Sequence, residues 1–195
     1  MLTDNSLMLA VRNGEIDRFG ELFQRHHDRL FAFFYRMTAD AAASEDLTQE
    51  VFLRMLKYRS TFGEDSEFRA WMYQIARNVR TDHFRKRQTD ALLSQQTVAG
   101  NHQPAHTTQI EAQQQASLLQ RALLELPDDK RELLILARYE ELKYETIAAL
   151  LSIEVGAVRV RVHRALRELR VVFLKLSGEE AKCDVKKPQT TLRNT

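Results

Sequence analysis

Arg159, Arg161, Arg164, Arg167 and Arg170 fall on one predicted helical segment that carries a single acid, Glu168. A guanidinium is a permanently charged planar fork, suited to gripping guanine O6 and N7 together or a phosphate. Between the arginines Val158, Val162, Ala165, Leu166 and Leu169 recur at steps of three and four, the spacing of a buried stripe. Upstream, Ile147, Ala148, Leu150 and Leu151 form a similar stripe on a shorter helix starting at Tyr144. Ser152 to Val155 interrupt the pattern, and Gly156 is expected to allow a close approach or an unusual backbone dihedral there. Short helix, tight turn and basic helix are the parts with which a helix-turn-helix enters a DNA major groove. A solvated helix of an ordinary bundle fits the same periodicity. The five-to-one excess of arginine directly after a turn favours DNA.

A second basic segment, EFRAWMYQIARNVRTDHFRKRQ, is a predicted helix from Glu67 to about Gln88. Phe68, Trp71, Met72, Ile75, Ala76 and Val79 make its apolar face, while Arg77, Arg80, Arg85, Lys86 and Arg87 make its outer face and tail basic. Aromatic rings beside cations suit single-stranded nucleic acid, where bases stack and phosphates pair. Trp71 serves equally as a core residue. Other chemistry has little support. His26 and His27 are neighbours that point apart on a helix, and His102 and His106 lack partner ligands, so no metal is expected. The single cysteine, Cys183, precludes an internal disulfide or a cysteine-based zinc cluster, and nothing nearby activates its thiol. There is no Gly-rich phosphate loop, no HExxH and no G-x-S-x-G. Neither an enzyme nor a cofactor is expected.

The elements that must position these residues are helices. The chain has 195 residues, net charge +2, three prolines, six glycines and no alternating strand pattern. Predicted helices run from Thr3 or Asp4 to Asn13, from Ile16 to Met37, from Ser44 to Tyr58 and from Glu67 to Gln88. Asp40 to Ser44 is expected as a short connection and Arg59 to Glu67 as a loop. Residues 89–115 lack lysine and arginine and read as a flexible linker. Helices then recur over QQASLLQRALLEL and KRELLILARYEEL before the basic pair, with Pro127 between them. The tail 177–195 loses periodicity. The reading is therefore all-α, with an N-terminal helical bundle (1–88) and a C-terminal helix-turn-helix domain (116–176) joined by the linker. With no secretory pattern at its start and no apolar run of spanning length, the chain is expected to be cytoplasmic and not inserted in a membrane.

In that order, the blocks SEDLTQEVFLR, EFRAWMYQIARNVRTDHFRKR and LPDDKRELLILARYEELKYETIAALLSIEVGAVRVRVHRALRELR resemble an RNA polymerase sigma factor of the extracytoplasmic-function group. The resemblance covers roughly Leu7 to Leu176. It implies a subunit without catalysis of its own that docks on core polymerase, opens and captures the −10 promoter element, and reads the −35 duplex. Core docking, on the clamp helices of the largest subunit, would use Asp46, Gln49, Glu50 and Leu53. The −10 strand would meet Arg59, Ser60, Thr61 and Phe62 of the loop together with Trp71, Arg77, Asn78, Arg80 and Arg85. Asn78 would hold a flipped base, with Phe62 and its loop neighbours as pocket. The −35 element would face Arg159, Val160, Arg161, His163 and Arg164. An anti-sigma factor is a further implied partner.

Some positions depart from the family pattern. Gly156-Ala157-Val158 and Arg159-Val160-Arg161 stand where hydroxyl residues are frequent, so the −35 preference is not transferable. Lys143 replaces a frequent serine cap, and Gly20 replaces a usual alanine at a helix-propensity cost of roughly 1 kcal/mol. A regulator that binds operator DNA without polymerase fits the helix-turn-helix alone, and differs in predicting tight duplex binding by the free chain.

Overall fold

Thr3 starts the first helix: its Oγ1 accepts the backbone N–H of Ser6 at 3.1 Å, taking up a donor that no helical carbonyl can reach. In the computed structural model, which describes residues 2–94 and 110–178, α1 (Asp4–Arg12) ends before Gly14, whose φ of +111° suits glycine. A 3-10 turn at Ile16–Arg18 leads into α2 (Phe19–Thr38). Ala39 then adopts a left-handed φ of 55°, and Asp40 caps α3 (Ala41–Lys57) by accepting the N–H of Ala43 at 3.0 Å. The expected 40–44 connection therefore shrinks, because the aspartate starts the helix three residues early. After a 3-10 turn at Arg59–Thr61 comes α4 (Phe68–Ser94).

Helices α1 to α4 form the first module. Leu22, Leu30, Phe33, Phe34 and Met37 of α2 share one core with Leu47, Val51 and Met55 of α3 and with Met72, Tyr73 and Ala76 of α4. Each fully buried apolar side chain contributes roughly 1.5–3 kcal/mol, so α2 is the spine of the bundle.

The second module comprises α5 (Ile110–Leu124), α6 (Asp128–Leu134), α7 (Tyr144–Leu151) and α8 (Val155–Ser177). Asp128 and Asp129 occupy the first turn of α6, where acids complement the helix dipole. The helix expected over KRELLILARYEEL changes character midway: Ile135–Tyr139 is π-helical, and the N–H of Glu140 bonds to the carbonyl of Ile135 at 3.0 Å. Glu141 follows with φ 51°. Ile147, Ala148 and Leu150 of α7 and Val158, Val162 and Ala165 of α8 share the core with Leu133, Leu134 and Leu136. The all-α expectation holds, with no strand among the described residues.

Helix takes both ends of the span expected as linker, since α4 continues to Ser94 and α5 begins at Ile110. His102, His106 and Cys183 lie outside the described residues. Among those described, no group of His, Cys, Asp and Glu could hold a metal, and no helix is long and apolar enough to cross a membrane.

Candidate nucleic-acid interfaces

The turn before α8 is built by Ser152, not Gly156. Ser152 ends α7 in the left-handed region at φ 53°, and the N–H of Ile153 closes back on the carbonyl of Ala148 at 3.0 Å. Gly156 lies inside α8, and a Cβ there would meet nothing within 4 Å. The expectation that it relieves the turn is corrected: the strained dihedral sits four residues earlier. Val158, Val162 and Ala165 anchor α8, which leaves Arg159, Val160, Arg161, His163 and Arg164 all exposed on its outer face. Glu168, the helix's acid, is paired with Lys130 of α6. The exposed face therefore keeps its positive charge.

On the first module the polar edges of α3 and α4 enclose a cavity of about 420 Å³, lined by Arg54, Tyr58, Ile75, Asn78, Thr81, Asp82 and Arg85. Asn78, Asp82 and Arg85 follow one another at steps of four and three and so share a helix face. Asn78 is exposed, its Oδ1 accepting from Gln74 Nε2 at 3.3 Å. Arg54 is fixed between Asp82 at 2.6 Å and Glu50 at 2.7 Å, and these carboxylates push its guanidinium above its ordinary value. The Tyr58 ring is 44 % exposed, with Lys57 Nζ 5.3 Å from its centroid. A flat ring, an amide, Arg85 and an Arg54 already paired with Asp82 stand about one opening, a set that can accept an unstacked base beside a phosphate.

Phe62 does not line this opening. It is 1 % exposed and packs edge-on against Phe68 and Trp71, with centroids 6.4 and 5.3 Å away. The expectation of Phe62 as a pocket wall is corrected, because its ring is needed to seat the loop on α4. Trp71 is half-buried in the same cluster, and its Nε1 donates to Thr61 Oγ1 at 3.2 Å. Arg59, Ser60 and Thr61 are exposed. From α1, Arg12 donates to the carbonyl of Phe62 at 3.0 Å. Asn5 donates to the Ser66 carbonyl and accepts the Phe68 N–H, both at 2.9 Å, so α1 caps α4 and pins the loop.

Asp46, Gln49 and Leu53 are exposed on the outer side of α3, Leu53 at 62 %, while Glu50 is half-buried by its pairing with Arg54. Arg77 and Arg80 behave differently from the other expected contacts. Arg77 Nε binds Glu132 at 3.0 Å, and Arg80, only 9 % exposed, binds Glu132 and Asp128, all from α6. The structure brings Asn78 and Arg85 to one cavity and turns these two arginines toward the second module. Sequence reasoning missed Tyr58, Asn5, Arg12 and the α6 acids. Tyr58 alone carried a signal, as an aromatic set between Lys57 and Arg59 just past the end of α3.

Comparison with known proteins adds independent findings. The Sigma-70 region 2 family model matches residues 22–89 and the Sigma-70, region 4 model matches residues 116–169. RNA polymerase sigma factor CarQ of Myxococcus xanthus is 34 % identical over 176 residues, covering 90 % of this chain and 100 % of CarQ. ECF RNA polymerase sigma factor SigW of Bacillus subtilis is 30 % identical over 171 residues, covering 82 % of this chain and 91 % of SigW. Among solved structures, the sigma factor RpoE of Bartonella quintana, in complex with the anti-sigma factor NepR, superposes with a TM-score of 0.66 at 25 % identity, covering 83 % of this chain and 98 % of RpoE.

Proposed function

Because the chain belongs to the sigma-70 family, in its extracytoplasmic-function group, it is a promoter-selecting initiation factor of RNA polymerase, and we propose how its surfaces share that task. The α3 face of Asp46, Gln49, Glu50 and Leu53 docks on the clamp helices of the polymerase core: an exposed leucine among acids is a surface that gains from being covered. The cavity at Asn78 receives one flipped base of the opened −10 strand, Tyr58 offers the stacking plane, and Arg85 meets the backbone. Arg59, Ser60 and Thr61 border the strand, while Phe62 and Trp71 hold that loop in place. Arg77 and Arg80 take phosphates once released from α6. The −35 duplex is read by Arg159, Val160, Arg161, His163 and Arg164 on α8. The chain performs no catalysis itself, needs no cofactor, and acts in the cytoplasm. By analogy with the RpoE complex, an anti-sigma factor is a further partner.

One observation supports this reading: each family-matched module carries its own exposed feature suited to nucleic acid, a cavity of about 420 Å³ between α3 and α4 and an arginine face on α8. A run-off assay tests it. Adding the full chain to core polymerase should produce a discrete transcript from a matched promoter, where core alone gives none. Tight sequence-specific duplex binding by the free chain, with no start-site selection by the mixture, would favour an operator-binding regulator instead.

A further inference from the structure

Helix α2 has two apolar faces, and the core uses only one of them. Leu30, Phe33, Phe34 and Met37 are buried in the bundle. Phe31 and Tyr35 stay outside that core, half-buried, with their rings stacked at 6.1 Å and planes 10° apart. Opposite them, Leu119 and Leu124 of α5 and the Tyr139 ring complete the walls of a cavity of about 710 Å³. Ala32 on α2 and Ala116 on α5 border the same space, and larger side chains there would fill it. Gln120 sets the spacing of the two helices, its Nε2 donating to the carbonyls of Tyr35 and Arg36 at 3.1 and 3.3 Å. A concave, mostly apolar space of this size between helices has the character of a small-molecule site, not of a packing fault.

The charge at this cavity has one sign. Arg36 and Arg121 line it, and among the described residues no acid does. Arg25, Arg54, Arg77, Arg80 and Arg131 are all spent on carboxylates. Arg36 instead lies over the Tyr139 ring, 4.2 Å from its centroid, a contact that uses the guanidinium face and leaves its N–H edge for an anion. Glu140, which feels the Arg36 charge, is itself held by Arg29 and Tyr73. Apolar walls call for a hydrocarbon body, and a guanidinium edge calls for two oxygens in one plane, which is a carboxylate. A nucleotide or sugar phosphate fits less well, because Phe31, Leu119 and Leu124 offer its hydroxyls and further charge no partner.

We infer that the cavity between α2 and α5 is a binding site for a fatty carboxylate, its chain lying between the Phe31–Tyr35 pair and Leu119 and Leu124, and its head group gripped by Arg36 and Arg121. The residues assigned to polymerase and promoter lie on α3, α4, α8 and the loop after α3. This site shares none of them, so it is additional to the proposed function and does not depend on it.

The test is calorimetric titration of the full chain with octanoate, decanoate and 1-decanol, all below their aggregation limits. Decanoate should bind one to one and raise the unfolding temperature. Each methylene buried should tighten binding roughly fourfold, so decanoate should exceed octanoate by about an order of magnitude. Decanoate should also bind at least tenfold more tightly than 1-decanol. R36Q/R121Q should erase that preference and leave 1-decanol binding unchanged. A116W, at an exposed position of α5, should fill the cavity and abolish binding of both. Should the double variant fail to fold, the decanoate-to-decanol ratio of the unaltered chain and the A116W result still decide the matter. No binding at millimolar decanoate overturns the inference, as does binding at several equivalents that A116W leaves intact. Equal affinity for decanoate and 1-decanol overturns the carboxylate assignment. Self-association in sedimentation that A116W abolishes, without decanoate binding, gives the groove to a second copy of the chain and overturns the inference as well.

Discussion

Asn78 offers an amide at the mouth of a cavity while its neighbours Arg77 and Val79 are turned to other duties, one to Glu132 and one to the core. Replacing Asn78 by alanine should remove about 1 kcal/mol of base recognition, a several-fold loss in holoenzyme affinity for a −10 oligonucleotide, without lowering the unfolding temperature. Tyr58→Ala should cost more, about 1–3 kcal/mol, if a base stacks on its ring. Fluorescence anisotropy with abasic and intact oligonucleotides separates stacking from phosphate contact. A different residue governs the response to acid. His26 is 4 % exposed, and burial lowers its imidazole below the ordinary value of 6.5 against the pull of Asp4, whose carboxylate lies 2.8 Å away. The unfolded chain therefore binds the proton more readily, so this contribution is complete above pH 6.5 and is lost as pH falls through the folded-state value. Thermal unfolding should shift downward between pH 7 and 5.5, and His26→Gln should remove His26's share of that slope. Asp4, whose carboxyl is also held low because the Arg25 and His26 hydrogen bonds outweigh its burial, acts only at more acidic pH.

At the scale of elements, periodicity made the helices legible. The stripes on α2, α4 and α8 appear in the sequence because each element buries one face and wets the other. Features that periodicity does not encode are set by local chemistry or by distant contacts. An aspartate serves a loop and a helix cap equally well, and only the bond from the Ala43 N–H shows that Asp40 starts α3. The π-helical stretch was invisible, since ILARY continues an unbroken helical pattern and its distortion serves Glu140, whose partners Tyr73 and Arg29 lie 67 and 111 residues away. The left-handed residue of the turn is Ser152, whereas Gly156 is an ordinary helical position. A serine held at φ 53° carries strain of about 1 kcal/mol that glycine avoids, so Ser152→Gly should raise the melting temperature of the second module by a few degrees in calorimetry. An unchanged or lower value would show that the turn is relaxed as it stands. The basic face of α8 was readable because nothing in the fold needs five arginines there. Arg164→Ala should weaken discrimination among −35 sequences by about 1–3 kcal/mol, measured as the spread of transcription rates across single-base −35 variants.

For the whole molecule, the two modules and their order were legible, while the contact between them was not. Arg77 and Arg80 read as outward-facing cations, and only the tertiary arrangement shows them engaged by acids from α6. Conversely, the exposed cavity formed by α3 and α4 required both helices to be placed before Tyr58, Asn78 and Arg85 could be seen as one site. The two surfaces are proposed to read separate segments of one promoter from a common polymerase. The most direct measurement is run-off transcription by holoenzymes carrying Asn78→Ala or Arg164→Ala on templates altered in the −10 or the −35 element alone. Asn78→Ala should lose sensitivity to one −10 position and keep full sensitivity to −35 changes, and Arg164→Ala should show the reverse. Equal loss of sensitivity to both elements in either variant, or to neither, would contradict the account.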